Sequence, residues 1–169
     1  MEMKRKWSMP NKNTFTIKPI KELLIEELVN QDIIIDPFAN NNKEFATITN
    51  DLNPNFDTDY HLPALEFLKK FNDNSVDCVL YDPPYSPRQL KECYDNIGVA
   101  LTKEDTQSSF WSNHKKEISR VVKAGGKVIS FGWNSNGMGK KLGFEIIKIL
   151  LVAHGGNHND TIVTVEIKN

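Results

Sequence analysis

Asp82-Pro83-Pro84-Tyr85 is the stretch of this sequence whose residue types and spacing best suit chemistry. It follows the apolar run Val76 to Tyr81, which reads as a buried strand. The two prolines remove backbone donors and restrict the residues before them, so the turn is rigid. Asp82 offers acceptor-only oxygens, the Pro83 carbonyl a further acceptor, and Tyr85 an aromatic face with a polar tip. Two acceptors beside a ring suit a planar exocyclic amine that donates two hydrogen bonds while its base stacks on the ring. Taken alone, the tetrapeptide also fits a strand-ending turn.

The surrounding pattern predicts the elements that must hold this turn. A helix is expected over Pro19 to Val29, where Ile20, Leu23, Leu24, Glu27 and Leu28 recur at helical spacing. Ile33-Ile34-Ile35 reads as a buried strand closed by Asp36-Pro37, and Phe45 to Thr49 as a second strand ending at Asn50-Asp51. Leu62 to Phe71 reads as a short helix and Phe110 to Val122 as a longer one ended by Gly125-Gly126. Lys127 to Phe131, Phe144 to Val152 and Thr161 to Ile167 read as strands. Strands alternating with helices, then two strands with none between them, predict an α/β fold. Its mostly parallel, doubly wound sheet would end in an antiparallel hairpin, within a single domain spanning 1–169.

Composition narrows the function classes. The chain has 169 residues and a net charge of -1, so nucleic-acid binding would need a local basic face. Lys4-Arg5-Lys6, Lys115-Lys116 with Arg120 and Lys123, and Lys140-Lys141 are the candidate basic clusters. Two cysteines are too few for a disulfide scaffold or a four-ligand zinc site, and His61, His154 and His158 lack partners at metal spacing, so no metal is expected. No stretch approaches a membrane span or a signal core, and a cytoplasmic protein is expected.

Asp82-Pro83-Pro84-Tyr85 resembles the catalytic motif of the S-adenosylmethionine-dependent, amino-methylating DNA methyltransferases. Other segments follow in the same order. Phe15 to Ile20 resembles that family's N-terminal cofactor segment, and Ile35-Asp36-Pro37-Phe38 the start of its cofactor motif. Asn50-Asp51 sits where the family has an acidic strand end. Leu62 to Leu68 resembles the segment near the cofactor adenine, and Gly125-Gly126-Lys127-Val128 leads into the next strand as in the family. The resemblance spans most of residues 15–167 and is nearest to small phage-type orphan adenine methyltransferases.

It implies a Rossmann-like methyltransferase fold with Asp82, Pro83, Pro84 and Tyr85 catalytic. It implies S-adenosylmethionine bound by Phe15, Thr16, Lys18, Asp36, Pro37, Phe38, Asn50, Asp51 and His61. It implies methyl transfer to the 6-amino group of adenine in DNA, with the base flipped out of the duplex. The alternatives are the same chemistry on RNA or on the 4-amino group of cytosine, or an inactive partner subunit. Read without the resemblance, Asp36 also fits a helix cap, Lys18 a solvated charge, and Trp133 either core or a stacking platform.

Two departures stand out. The segment from Asp36 to Phe45 holds no glycine and is shorter than the ~10–12 residues a parallel crossover normally needs. Asn40–Asn42 are expected to make the turn instead, since asparagine tolerates left-handed backbone. There is also no room for a separate target-recognition domain between Asp36 and Asp82. DNA would be read by the loops Ser86 to Ser109, Asn134 to Lys141 and His154 to Asp160, or through a second subunit such as a homodimer partner. The loop candidates are Ser86, Arg88, Trp133, Asn134, His154, Asn157, His158 and Asn159. The 154–160 loop is expected to lie on the rim that carries Asp82 and to overhang the catalytic pocket.

Overall fold

The computed structural model describes residues 1–100 and 108–169. Among the described residues seven strands form one sheet: β1 (Glu2–Trp7), β2 (Ile34–Asp36), β3 (Ile48–Thr49), β4 (Val76–Tyr81), β5 (Val122–Gly132), β6 (Phe144–Ala153) and β7 (Thr161–Lys168). Their order across the sheet is β1-β6-β7-β5-β4-β2-β3. All pairs are parallel except those of β7, which runs against β5 and β6. The other six strands therefore deliver their carboxyl ends to one rim. The expected doubly wound sheet with a closing antiparallel hairpin is what the chain forms.

Helices cover both faces. On one, α1 (Lys18–Glu27) packs Ile20, Leu23 and Leu24 against Cys78, Leu80, Ile129 and Val163. On the other, α2 (Ala64–Leu68) and α4 (Ser109–Val121) pack Phe67, Leu68, Ile118 and Val121 against Ile35, Val79 and Val128. From Cys78 to Tyr81 β4 is buried on both sides, as expected of a central parallel strand, and the apolar run Cys78–Tyr81 is the signature. Glu27 lies on the buried stripe of α1, where Lys148 and Lys127 pair with it at 2.5 and 2.9 Å.

Several boundaries differ from expectation for identifiable reasons. The strand expected over Phe45 to Thr49 shrinks to Ile48–Thr49, because Phe45 and Ala46 turn into the core beside α1. The helix expected over Leu62 to Phe71 spans only Ala64–Leu68. Gly125 and Gly126 lie inside β5 instead of ending α4. A Cβ on Gly126 would sit 2.9 Å from the Asp77 carbonyl, so the neighbouring chain requires glycine there. β1 was not expected, since every residue in it is exposed and no hydrophobic alternation marks it. The segment 86–109, expected as a loop, contains α3 (Pro87–Asn96), which buries only Leu90. The remainder of that loop includes residues 101–107, which lie outside the described residues.

The glycine-free connection from β2 to β3 contains no helix. Asn40 adopts φ 51°, the left-handed turn that asparagine was expected to supply. Among the described residues no helix is long and apolar enough to cross a membrane.

Candidate active site

The chain runs from β2 outward to β3, then returns to β4 on the other side of β2. Open α/β sheets bind ligands beyond the carboxyl ends of the strands at such a reversal. Asp36 ends β2 and Asp82 follows β4, so two carboxylates meet there. Asp36 is buried and accepts the Phe38 N–H at 2.9 Å. Burial raises its carboxyl well above the usual range, and the nearby Asp82 charge adds to the rise.

Asp82 is half-buried and faces two groups on the rim. The Tyr85 hydroxyl donates to its Oδ1, and the Thr14 hydroxyl also reaches it. Burial pushes the Asp82 carboxyl upward, against the opposing pull of these hydroxyls. Burial and the Asp82 charge push the Tyr85 phenol upward too, so it stays protonated and donating.

The rest of the turn is braced by its neighbours. Tyr85 N–H donates to Gln89 Oε1 at 2.7 Å, and the Pro84 carbonyl accepts Trp111 Nε1–H at 3.1 Å. Trp133, which follows β5, meets the Tyr85 ring edge-on at 5.4 Å and is 43% exposed. Trp133 is therefore at the site's mouth, which decides between its two readings in favour of an accessible ring.

A cavity of about 740 Å³ opens beside this turn. Pro37, Phe38, Asp51, Leu62, Pro84 and His114 are among its walls. A smaller pocket of about 150 Å³ adjoins it, lined by Asn13–Thr16, Phe38–Asn42 and Asp82. The left-handed turn at Asn40 brings its N–H to Asp51 Oδ2 at 3.0 Å, so the short connection folds back onto the cavity wall. Burial raises the Asp51 carboxyl against two backbone N–H groups, from Asn53 and Asn40, that pull it down.

The structure places Phe15, Thr16, Pro37, Phe38 and Asp51 in the walls of these pockets, whereas Asp36 is buried and lines neither. Phe15 is largely core, its ring tilted against that of Phe131 at 4.9 Å. Others of the expected residues have different work. Asn50 is fully buried, and its amide ties the Pro37 carbonyl to both backbone groups of Leu62. Lys18 opens α1 in solvent and lines neither pocket. His61 is exposed, with Nδ1 3.2 Å from the Asp51 carbonyl behind the cavity wall. Ser86 caps α3 through the Gln89 N–H, and Arg88 pairs with Glu92 one turn along that helix.

Asn134 folds its side chain onto the Asn136 N–H. His154 is buried, 2.9 Å from the Ser8 carbonyl and 2.8 Å from Thr161 Oγ1, so it fastens the chain instead of facing a ligand. Asn157, His158 and Asn159 are exposed in the β6–β7 loop, on the rim of Asp82, but the loop lines neither pocket: β7 and β5 stand between β6 and β4, so the expected overhang of the pocket is not formed.

Thr14, Cys93 and His114 were not singled out from the sequence. Thr14 had a local cue, as the polar neighbour of Phe15. His114 lies inside a helix, where one histidine among lysines carries no cue, yet it lines the cavity with its Nδ1 3.2 Å from the Tyr81 hydroxyl. Among the described residues no group of three or more His, Cys, Asp or Glu could hold a metal ion.

No family model and no curated protein matches the sequence. Solved structures do resemble the fold. TrmN from Thermus thermophilus superposes with a TM-score of 0.58 at 16% identity, covering 90% of this chain and 49% of that one. The 1,6-didemethyltoxoflavin-N1-methyltransferase of Burkholderia thailandensis, solved with 1,6-didemethyltoxoflavin and S-adenosylhomocysteine, gives 0.59 at 10% identity, covering 90% and 77%. SMU.1697c of Streptococcus mutans, in complex with S-adenosylhomocysteine, gives 0.53 at 12% identity, covering 94% and 99%. This chain thus spans about half the length of the first of these and nearly all of the third. Likeness at such identities establishes the methyltransferase fold.

Proposed function

We propose that this chain transfers the methyl group of S-adenosylmethionine to the 6-amino group of adenine in DNA. The carrying observation is the placement of Asp82-Pro83-Pro84-Tyr85 at the strand-order reversal, between the 740 Å³ cavity and the exposed Trp133 ring.

The residues present fit the cofactor. The cavity's volume is in the ~300–1,000 Å³ range of small-molecule sites. Asp51 stands after β3, where an acidic side chain suits ribose hydroxyls, and Phe56, Leu62 and Leu65 offer apolar wall for a base. The smaller pocket leads from that wall to Asp82, and Asn40–Asn42 present polar groups to an amino-acid end. Bound there, the cofactor would supply a methyl group on a positively charged sulfur. The solved neighbours that hold S-adenosylhomocysteine support this part of the reading.

The chain's own residues do the rest. An adenine amine is a poor nucleophile because its lone pair is delocalised into the ring. Acceptance of its hydrogens by Asp82 and the Pro83 carbonyl favours a pyramidal nitrogen with the lone pair available. As transfer proceeds, nitrogen gains the charge that sulfur loses, and the Asp82 carboxylate stabilises that charge at close range. Its raised proton affinity suits it to receive the proton that the methylated amine must shed. Tyr85 stacks the base, and Trp133 holds the Tyr85 ring edge-on.

The test is transfer of labelled methyl from S-adenosylmethionine to matched oligonucleotides. Label is expected in DNA containing adenine and absent when adenine is replaced by purine, which lacks the amine. Label appearing only in RNA, or only in cytosine, would overturn the substrate assignment.

Cys93 offers an independent report on the cavity. It lines the wall, whereas Cys78 is buried in the sheet. Burial, with Asp51 and Glu92 nearby, pushes the Cys93 thiol upward and makes its alkylation slow but measurable. S-adenosylhomocysteine at ten times its Kd should slow Cys93 alkylation about tenfold, in proportion to the unoccupied fraction. Unchanged alkylation with bound ligand would place the ligand elsewhere.

A further inference from the structure

The chain's charge is concentrated at one end. Residues 1–18 contain five Lys or Arg and one Glu, a net of +4, while the whole chain carries -1. The structure gives this segment a definite course. β1 runs along the sheet edge beside β6, with Trp7 opposite Ala153 at the carboxyl rim. Ser8 N–H then donates to the Ala153 carbonyl at 3.1 Å, and buried His154 holds the Ser8 carbonyl. By Thr14 the chain has crossed the rim to Asp82, passing Phe131 at the end of β5. Residues 8–14 thus form a strap from the sheet's edge to the candidate active site.

What the strap exposes is unusual for an edge strand. Trp7 is 66% exposed and Met9 67%, and Trp133 stands open on the same rim. Arg5, Lys6 and Lys12 are exposed and make no ion pair among the described residues, while Lys4 pairs with Glu2 at 2.9 Å; within β1, Arg5 shares the face of Trp7 and Lys6 projects from the other face. The other basic clusters are less available. Arg120 is paired with Asp73 and Glu117, Lys123 with Asp77, and Lys115 bonds the Gly137 carbonyl, which leaves Lys116 as the exposed cation of that cluster with no ion pair among the described residues. Lys140 and Lys141 precede β6, at the opposite rim from Asp82.

We infer that the end of β1 and the strap after it, with Arg5, Trp7 and Lys12, form a docking track for single-stranded nucleic acid flanking the target base. Exposed aromatic faces and free cations along one line are what an unpaired strand requires: bases stack on the rings and phosphates follow the charges. Four strand spacings separate β1 from β4, about 19 Å at ~4.8 Å each. At the stacked rise of ~3.4 Å per nucleotide that spans about six nucleotides, ending where the amine would meet Asp82. The proposal rests on the nucleic-acid reading of the site and adds where and in what form the strand lies.

The experiment measures anisotropy of a labelled, adenine-containing single-stranded 12-mer against wild type, Trp7→Ala, Arg5→Ala and Lys12→Ala. Trp7→Ala should weaken binding at least about fivefold, one lost base stack. Arg5→Ala should lower the slope of log affinity against log salt by about 0.7, the value of one phosphate contact. Lys12→Ala should lower it by about 0.7. All should bind S-adenosylhomocysteine as wild type does, which guards against misfolding. Wild-type oligonucleotide affinity and slope in every variant, with methyl transfer to DNA intact, would overturn the track and leave the site's reading standing. Losses confined to duplex DNA would equally overturn it. A wild-type protein that binds S-adenosylhomocysteine but no oligonucleotide would overturn both.

Discussion

Asp82→Asn is expected to cut methyl transfer at least about 1,000-fold while leaving S-adenosylhomocysteine affinity within about twofold of wild type. Asparagine keeps the size of the side chain and can still meet the hydroxyls of Tyr85 and Thr14. What it removes is the negative charge beside a nitrogen that turns positive during transfer. A group that acts only as that charge develops lowers the chemical step and leaves cofactor binding alone. Folding stability should hold or rise, because the wild-type carboxylate is crowded by protein and faces Asp36. A melting temperature at or above that of wild type, together with lost transfer, is the expected pair of results. Near wild-type turnover would remove Asp82 from the chemistry.

The same carboxylate sets a pH dependence. Its folded proton affinity is raised, so it begins to protonate at a higher pH than an ordinary aspartate as acid is added. Protonated Asp82 accepts less well and carries no charge. Single-turnover transfer should therefore fall as pH drops through that raised value. The residual activity of Asp82→Asn should lack this limb.

What was legible in the sequence was what short-range pattern encodes. The apolar run Cys78–Tyr81 announced a strand buried on both faces, and the rigid turn after it announced a functional strand end. Asn40 supplied the left-handed turn because its side chain is one of the few that tolerate it. The β6–β7 hairpin followed from two β-branched runs with no helix between, and its loop reached the rim of Asp82 because β6 runs the same way as β4. β1 and α3 were illegible because neither buries a periodic stripe: β1 is a wholly exposed edge and α3 hides Leu90 alone. Long-range polar partnerships were illegible as well. Nothing local to His154 points to Ser8, 146 residues away, and nothing local to Thr14 points to Asp82.

Asn50 shows the consequence for the candidate site, and its replacement is expected to have the second large effect. The resemblance placed Asn50 against the cofactor, whereas the structure places it one layer behind. Its Nδ2 donates to the Pro37 carbonyl at 3.0 Å and to the Leu62 carbonyl at 2.9 Å, and its Oδ1 accepts the Leu62 N–H at 3.0 Å. Its backbone accepts from Ala39 and donates to Asp36, at 2.9 Å each. One buried side chain thus ties together two cavity walls that are far apart in sequence. Asn50→Ala leaves three backbone groups without their partner, at about 1–3 kcal/mol for each that stays dry. Water entering the new space beside the cavity offsets part of this, so a net loss of about 3 kcal/mol is expected. That corresponds to roughly 6–12 °C in Tm for a chain of this size. S-adenosylhomocysteine affinity should fall at least about tenfold, because the Pro37–Phe38 and Leu62–Ala64 walls lose their spacing. Asn50→Asp should be worse than alanine. It turns two donors into acceptors that face carbonyl oxygens and buries a charge near Asp36. Thermal unfolding and calorimetric titration of both variants check the order wild type, alanine, aspartate. Weakened ligand binding with wild-type stability in both would mean instead that Asn50 touches the ligand directly.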